Sequence, residues 1–331
     1  MGHQLGFIGL GRMGKNMVLH LLEQDIDVVA FNRTREVTEE FAKSISDIRN
    51  PTSVIGKANT DHGSRITDHE KIKLGTLNPA YDLLDLIKQL IPPRVIWLMV
   101  PNGKPVDEVL EQLMSSGIQK GDIVIDGGNC YYKDTVRRSK ELAAKGIHYI
   151  DCGTSGGLSG ARHGACLMIG GETSEVQKLD WLWNAAAVKD GWAHFGPSGA
   201  GHYVKMVHNG VEYGMNEAIG EGFEILADGP YDLDFAKVAH TWSHGSVVRS
   251  WLVELLANAF DSDPKLTAYS GKVGGGETGK WTLEEAYELG VEAKVIEDSI
   301  RAREKSVTNP TFAGKVVSAL RAGYGGHKEP R

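Results

Sequence analysis

Leu5-Gly6-Phe7-Ile8-Gly9-Leu10-Gly11-Arg12-Met13-Gly14 opens the chain with a short apolar run that stops in a glycine loop. Gly9, Gly11 and Gly14 are spaced as GxGxxG, and Arg12–Leu22 follows with Met13, Met17, Leu21 and Leu22 at helical intervals. Strand, glycine loop and helix in that order form a dinucleotide-binding fingerprint. The first glycine permits the tight turn, the second lets the backbone approach a pyrophosphate, and the third lets helix and strand pack closely. The helix N-terminus then offers free N–H groups and the positive end of its dipole to the phosphates. Gly9, Leu10, Gly11, Arg12, Met13 and Gly14 are therefore expected to contact the cofactor.

Outward from this loop, strand and helix patterns alternate. Asp27–Phe31, Arg94–Val100, Asp122–Ile125 and His148–Cys152 read as buried strands with helical stretches between them, which is the pattern of βαβ units and a parallel sheet. The second strand ends in Asn32-Arg33-Thr34. An acid there would accept from ribose hydroxyls; an arginine beside a hydroxyl can instead grip a ribose phosphate. The expected cofactor is NADP, with NAD possible. Val100-Pro101 and Asp126-Gly127-Gly128-Asn129 also follow strands, where ligands of such sheets sit. Val100, Pro101 and Asn129 are thus candidate contacts.

From Gly199 the texture turns helical, with helices expected over Gly199–Ala227, Leu233–Ser243, Ser246–Phe260, Leu283–Gly290, Ala293–Lys305 and Thr311–Arg321. The fold class expected is α/β: a Rossmann-type doubly wound parallel sheet over residues 1–195, followed by an all-helical C-terminal domain over 196–331. A polar stretch at about 45–74 lacks periodicity and exceeds the usual loop length of roughly 2–6 residues. It reads as an insertion, either a solvated excursion or a flap or oligomer contact.

Composition narrows the function. The chain has 331 residues, 41% hydrophobic and 24% charged, with 36 basic against 43 acidic residues and a net charge of -7. A mildly acidic chain without a basic tail points away from nucleic acid. Mean hydropathy is -0.25, and no apolar run reaches the roughly 18 residues that span a bilayer. Three cysteines cannot build a disulfide framework, and the N-terminus shows no apolar leader segment, so a reducing cytoplasm is expected. The 41 glycines are clustered.

One cluster, Thr154-Ser155-Gly156-Gly157-Leu158-Ser159-Gly160, offers successive backbone N–H groups that can cradle an anion such as a carboxylate. The other precedes Lys205-Met206-Val207-His208-Asn209-Gly210-Val211-Glu212-Tyr213. At about 100° per residue, Lys205 and Glu212 fall two turns apart on nearly one line, with His208 and Asn209 one turn from Lys205 on either side. Val204, Met206, Val207 and Val211 flank this face, so it should be at least partly buried. Four different polar groups converging there call for a ligand or a network. A lysine in such a place can act as base and a carboxyl as acid.

These segments resemble one family, the decarboxylating 6-phosphogluconate dehydrogenases in their short form, within the wider 3-hydroxyacid dehydrogenase group. The likeness rests on GLGRMG at Gly9–Gly14, NRT at Asn32–Thr34, DGGN at Asp126–Asn129, SGG at Ser155–Gly157 and KMVHNGVEYG at Lys205–Gly214. It extends to ETGKWT at Glu277–Thr282 and to the tail from Arg321 to His327. The resemblance implies oxidation of 6-phosphogluconate at C3, loss of CO2 and protonation of the enediol at C1, giving ribulose 5-phosphate for the pentose phosphate pathway. Lys205 would be the base and Glu212 the acid, with no metal. Asn129, Lys205, His208 and Asn209 would hold the sugar hydroxyls, and Ser155, Gly156 and Gly157 the carboxylate. Tyr213, Thr278 and Arg303 would hold the phosphate, joined by Arg321 from a neighbouring subunit of a dimer or tetramer, and His327, also from the neighbour, would cap the sugar. Long-form members carry a lysine where Gly276 stands; Lys272 and Lys280 are nearby substitutes. Two other readings are a 3-hydroxyacid dehydrogenase of the tartronate-semialdehyde or 3-hydroxyisobutyrate type and a non-enzymatic dinucleotide-binding protein. The first would not need Glu212, Tyr213, Arg303 or the tail, and the second would need neither acid nor base.

Overall fold

Alternation of side chains along the first strands sorts the apolar residues into two layers. In the computed structural model, which describes residues 3–49 and 74–330, the chain divides into two compact units, Met1–Tyr203 and Val204–Arg331, and the division falls inside one helix. The first unit runs β1 (Gln4–Ile8), α1 (Arg12–Glu23), β2 (Asp27–Phe31), α2 (Arg35–Arg49), β3 (Leu77–Ala80), α3 (Leu83–Gln89), β4 (Val95–Leu98) and α4 (Lys104–Ser116). It continues with β5 (Ile123–Asp126), α5 (Tyr132–Ala143), β6 (His148–Ser155), α6 (Gly157–His163), β7 (Ala165–Gly170), α7 (Thr173–Gln177), α8 (Asp180–Ala186) and β8 (Ala187–Gly196).

Leu5, Phe7, Val28, Ala30, Trp97, Ile123, Ile125, Ile150 and Cys152 face one core, shared with Met17, Val18 and Leu21 of α1 and Trp183 of α8. Ile8, Val29, Ile96, Leu98, Val124 and Tyr149 face the other, shared with Leu86 of α3, Val106 and Leu110 of α4 and Leu142 of α5. A period of two with both faces apolar is what a sheet covered on both sides requires. The strand order is β3-β2-β1-β4-β5-β6-β7-β8. The order reverses between β1 and β4, so the crevice beyond their carboxyl ends is the place where such a sheet binds ligands.

Three differences from the sequence reading have physical causes. The sheet is not wholly parallel, because β7 runs antiparallel to β6. Only the short α6 joins them, and a parallel return takes a dozen or more residues. The insertion starts later than expected: α2 continues to Arg49, with Phe41 and Ile45 buried. The rest of that stretch, with its possible role as flap or contact, lies outside the described residues. β3, β7 and β8 were not anticipated.

The second unit contains the rest of α9 (Ala200–Ala227), then α10 (Phe235–Trp242), α11 (Trp251–Ser262), α12 (Glu277–Glu288), α13 (Lys294–Ser306) and α14 (Phe312–Gly325). Its core gathers Phe223 of α9, Ala239 of α10, Leu256 and Phe260 of α11, and Val316 and Leu320 of α14. α11 begins at Trp251 rather than Ser246, because the Ser250 side chain accepts from the Val253 N–H and caps the helix there. α12 begins at Glu277, earlier than expected. No helix among the described residues is long and apolar enough to cross a membrane.

Candidate active site

The first unit builds a phosphate-binding loop at the switch point. Gly9 has φ +104, and a Cβ there would lie 2.3 Å from the Met99 carbonyl oxygen, so the loop presses against the end of β4 beside Val100. A Cβ on Gly14 would lie 1.9 Å from the Gly9 oxygen. A Cβ on Gly11 would meet nothing within 4 Å. Gly11 is also the N-cap of α1, with no side-chain cap on the helix N–H groups. Close contacts at two glycines and open space at the third are what a pyrophosphate cradle needs. These residues fit a dinucleotide.

Asn32 proves to be part of the scaffold. Its Oδ1 accepts from the Leu10 N–H at 3.0 Å, its Nδ2 donates to the Thr34 carbonyl at 3.3 Å, and its own N–H donates to Thr38 Oγ1 at 3.1 Å. This ties the glycine loop to the end of β2 and leaves Arg33 and Thr34 exposed beside it. Arg33 makes no ion pair among the described residues, whereas Arg35 is held by Glu39 at 2.8 Å.

Asp126 likewise supports its turn. It is fully buried and accepts from Tyr149 at 2.7 Å and from the Gly128 N–H at 3.1 Å. The turn so fixed leaves Asn129 exposed at its tip. Thr154 Oγ1 donates to the Gly127 carbonyl at 3.3 Å, which joins the end of β6 to the same turn. The Ser155-Gly156-Gly157 turn is ordered: Gly156 and Gly157 have φ +111 and +58, and Gly156 is the N-cap of α6.

A signal missed in the sequence sets the start of α9. The buried Asp151 carboxylate accepts from the N–H groups of Gly199 at 2.7 Å and His202 at 2.8 Å, a carboxylate against the positive end of a helix. The His202 ring contacts Thr135 Oγ1 at 2.7 Å.

In the second unit, Lys205 is only 7% exposed and Asn209 is buried. Lys205 Nζ lies 3.4 Å from His208 Nδ1, which lies 3.3 Å from Asn209 Oδ1. Burial, then the Lys205 charge, hold the His208 imidazole below its usual value. The expected apolar flank is only half realised: Met206 is buried, while Val207 and Val211 are exposed.

Tyr213, Thr278, Arg303 and Arg321 come together around α12. Thr282 Oγ1 donates to the Met206 carbonyl at 2.7 Å, pinning α12 to α9. Gly279 has no room for a side chain, because a Cβ would lie 2.5 Å from the Tyr213 ring. The Tyr213 hydroxyl lies 3.3 Å from Thr278 Oγ1. The Arg303 guanidinium stacks over the Tyr213 ring at 3.4 Å. Arg303 is 3% exposed, and its Nε and one terminal nitrogen have no hydrogen-bond partner among the described residues. Burial, opposed by Tyr213 and reinforced by the Arg321 charge, holds its guanidinium below the usual value. Two cations gathered in a buried place cost free energy unless an anion satisfies them.

Arg321 lies near Arg303 of its own chain, and His327, just beyond α14, packs edge-on against Tyr324 at 6.0 Å between ring centroids. Lys280 pairs with Glu304 at 2.7 Å. The uncapped N-terminus of α12 and Arg321 stand beside Gly275 and Gly276.

Glu217, on α9, also feels this cluster. Burial, then the Glu221 charge, push its carboxyl up to about 7, against the opposing pull of Arg303. Its folded value exceeds its unfolded one, so stability falls as pH rises from about 4.5 through about 7. Glu217→Gln is expected to be more stable than the parent at pH 8, by on the order of 1–2 kcal/mol after solvent screening, and equal to it near pH 4.5. Urea unfolding midpoints at the two pH values check this; a constant difference at both would contradict it.

Away from these residues, His148, Glu172 and Glu175 bring ligand-type atoms within 4.8 Å of one another. Lys178 already neutralises Glu175 at 2.6 Å, so the group is balanced by a side-chain cation.

Comparison with known proteins agrees across both units. The family model for the NAD binding domain of 6-phosphogluconate dehydrogenase matches residues 4–192, and that for the C-terminal domain of the same enzyme matches residues 201–313. The Bacillus subtilis protein YqeC, whose own assignment to 6-phosphogluconate dehydrogenase is provisional, is 41% identical over 98% of both chains. The NAD(+)-dependent, decarboxylating 6-phosphogluconate dehydrogenase of Haloferax volcanii is 40% identical over 99% of both. Among solved structures, the Plasmodium falciparum 6-phosphogluconate dehydrogenase, studied with NADP+ and with 6-phosphogluconate, superposes with a TM-score of 0.77 at 28% identity, over 97% of this chain and 70% of that one.

Proposed function

This chain belongs to the 6-phosphogluconate dehydrogenase family, and on that premise we propose that it oxidatively decarboxylates 6-phosphogluconate to ribulose 5-phosphate and CO2 with reduction of NAD(P)+. The observation that carries the substrate assignment is the Arg303 guanidinium, buried with N–H groups lacking an acceptor beside Arg321, Tyr213 and Thr278. A dianionic phosphate is the group that satisfies such a cluster. A small 3-hydroxyacid without phosphate would leave both cations unanswered.

The nicotinamide of the bound cofactor supplies the hydride acceptor. Lys205 takes the proton of the C3 hydroxyl as oxidation proceeds. His208 Nδ1 cannot both accept from the Lys205 ammonium and donate to Asn209 Oδ1, so these contacts are linked to the position of a proton. A neutral His208 lets Lys205 shed and regain its proton with little rearrangement. Protonated Lys205 then polarises the new keto oxygen while the C1 carboxylate leaves as CO2. Ser155, Gly156, Gly157 and Asn129 hold that carboxylate and the neighbouring hydroxyls. Glu212 delivers a proton to C1 of the enediol. Arg321 joins Arg303 at the phosphate, and His327 caps the sugar.

The exposed ridge Val207, Val211, Met215 and Ile225 along α9 supports burial against a second copy of the chain. Three free thiols, two of them buried, support a reducing cytoplasm. With purified protein, 6-phosphogluconate should reduce the cofactor, whereas 3-hydroxyisobutyrate and tartronate semialdehyde chemistry should be negligible. The reverse preference would overturn the assignment.

The exposed Arg33-Thr34 pair supports NADP as the preferred cofactor. Arg33→Ala is expected to weaken NADP by about 10–100-fold and NAD by less than about twofold. Equal losses in fluorescence titrations of the two would argue against this role.

A further inference from the structure

The turn that leads from β4 to α4 carries Val100 and Pro101 and sits between two ligand-bearing loops. A Cβ on Gly9 would lie 3.3 Å from Val100 Cγ1, and a Cβ on Gly128 would lie 3.1 Å from the Val100 carbonyl oxygen. Gly103 ends the turn as the N-cap of α4, at φ +76 and with no side-chain cap. The brace for this turn comes from α5. Arg138 is 1% exposed. Its Nη2 donates to the Gly103 carbonyl at 3.0 Å and to Asp107 Oδ2 at 3.1 Å, and its Nε donates to Asp107 Oδ1 at 2.7 Å. The guanidinium thus grips both oxygens of a carboxylate in the first turn of α4 and, with the same fork, the carbonyl that starts the helix. Nη1 has no hydrogen-bond partner among the described residues, so the bonds of this buried cation all go to α4 and its N-cap. The bond from Arg138 holds the Asp107 carboxyl below its usual value, which keeps the pair charged. Arg137 reaches Asp107 Oδ1 at 2.9 Å and Glu141 at 3.1 Å from the surface side.

We propose that Arg138 is a positioning residue for the dinucleotide: by holding the Gly103 carbonyl and Asp107 together, it presets the Val100–Gly103 turn in the shape the cofactor meets. The inference rests on the reading of Val100 and Pro101 as cofactor contacts. A loop already in its bound shape has less freedom to lose when the ligand arrives, so the brace contributes affinity without touching the cofactor. Its effect is common to NADP and NAD, because both would meet the same turn. A lysine in its place keeps the charge and the apolar stem. Its ammonium has no planar fork, however, and cannot hold two carboxylate oxygens and a carbonyl in one arrangement.

The test is fluorescence titration of each variant with NADP and with NAD, at a temperature well below unfolding. Arg138→Lys is expected to weaken both cofactors about tenfold and in equal measure, unlike Arg33→Ala. In turnover with 6-phosphogluconate its KM for the cofactor rises by the same factor, while kcat and the KM for the sugar acid stay within about twofold. Hydrogen exchange at the Val106 amide, which donates to the Gly103 carbonyl at 3.1 Å, becomes faster. Asp107→Asn, at a partly exposed position, tests the same brace if the buried variant does not fold, and is expected to weaken both cofactors about threefold. Arg137→Ala takes a cation from Asp107 but leaves the Gly103 contact, and should bind both cofactors as the parent does. A merely structural ion pair would lower the urea midpoint and leave both dissociation constants of the folded protein unchanged, and that result overturns the inference. A loss confined to NADP, or a loss in Arg137→Ala as large as in Arg138→Lys, overturns it as well. Pro101→Asp checks the underlying reading by placing a carboxylate at the exposed tip of the turn. If it weakens both cofactors beside a parent-like Arg138→Lys, the positioning role alone is lost. If it changes neither affinity, the reading of the turn as a cofactor contact falls too.

Discussion

Lys205→Ala is expected to lower kcat by at least about a thousandfold while leaving NADP affinity within about twofold. The lysine belongs to the helical unit, whereas the residues proposed to hold the dinucleotide belong to the first, so its loss should spare that binding. Its amine lies 3.4 Å from an imidazole whose own pKa is depressed by burial and by the lysine charge. A neutral imidazole is an acceptor for the ammonium but cannot replace the amine at the substrate hydroxyl. Oxidation would then have no base, and the keto intermediate no cation to draw electron density toward its oxygen. Stopped-flow absorbance at the reduced cofactor band measures the hydride step, and fluorescence titration measures the complex. Turnover retained at parent levels would remove Lys205 from the chemistry.

The second large effect concerns Arg303. Arg303→Met is expected to raise KM for 6-phosphogluconate by about a hundredfold or more, on the order of 3 kcal/mol, because a charge-assisted contact to phosphate is lost. The same variant should leave the unliganded protein no less stable. A buried guanidinium with two nitrogens lacking acceptors and with Arg321 nearby is costly in the free protein, and a side chain of similar length can refill the space. The two measurements should therefore move in different directions: affinity for the phosphorylated substrate collapses while the urea midpoint holds or rises. Turnover of unphosphorylated gluconate, however slow, should be unaffected. A parent-like KM, or an equal loss with gluconate, would place the phosphate elsewhere.

How much of this could be read from the chain depended on the range of each constraint. Gly9 and Gly14 were legible because their limits are local: one turn conformation and one helix–strand contact five residues apart. The face of α9 was legible because helical period alone aligns Lys205, His208, Asn209 and Glu212. β7 and β8 were not. β8 is solvent-exposed along much of its length and carries Asp190 at φ +60, so it shows no alternation. Val247 and Val248 extended an apparent helix that Ser250 in fact starts, because two exposed valines imitate its periodicity.

Asn32 shows the limit at the site itself. Its place at the end of β2 was evident, but its use as a brace for Leu10 depends on a contact 22 residues away. The bond from Asn216 to Tyr324 spans 108 residues. No spacing rule brings those two side chains together. Only the packing of α9 and α14 in one core, through Phe223, Val316 and Leu320, does so. The spacing of the Arg321–His327 tail likewise did not reveal that Arg321 meets Arg303 of the same chain.

The central claim joins oxidation to carbon–carbon cleavage in one active site. The most direct measurement uses 6-phosphogluconate labelled at C1, with reduced cofactor and released labelled CO2 followed in the same reaction. Equal amounts of the two are predicted from the first turnovers onward. Reduced cofactor accumulating with the label retained in a non-volatile acid would contradict it.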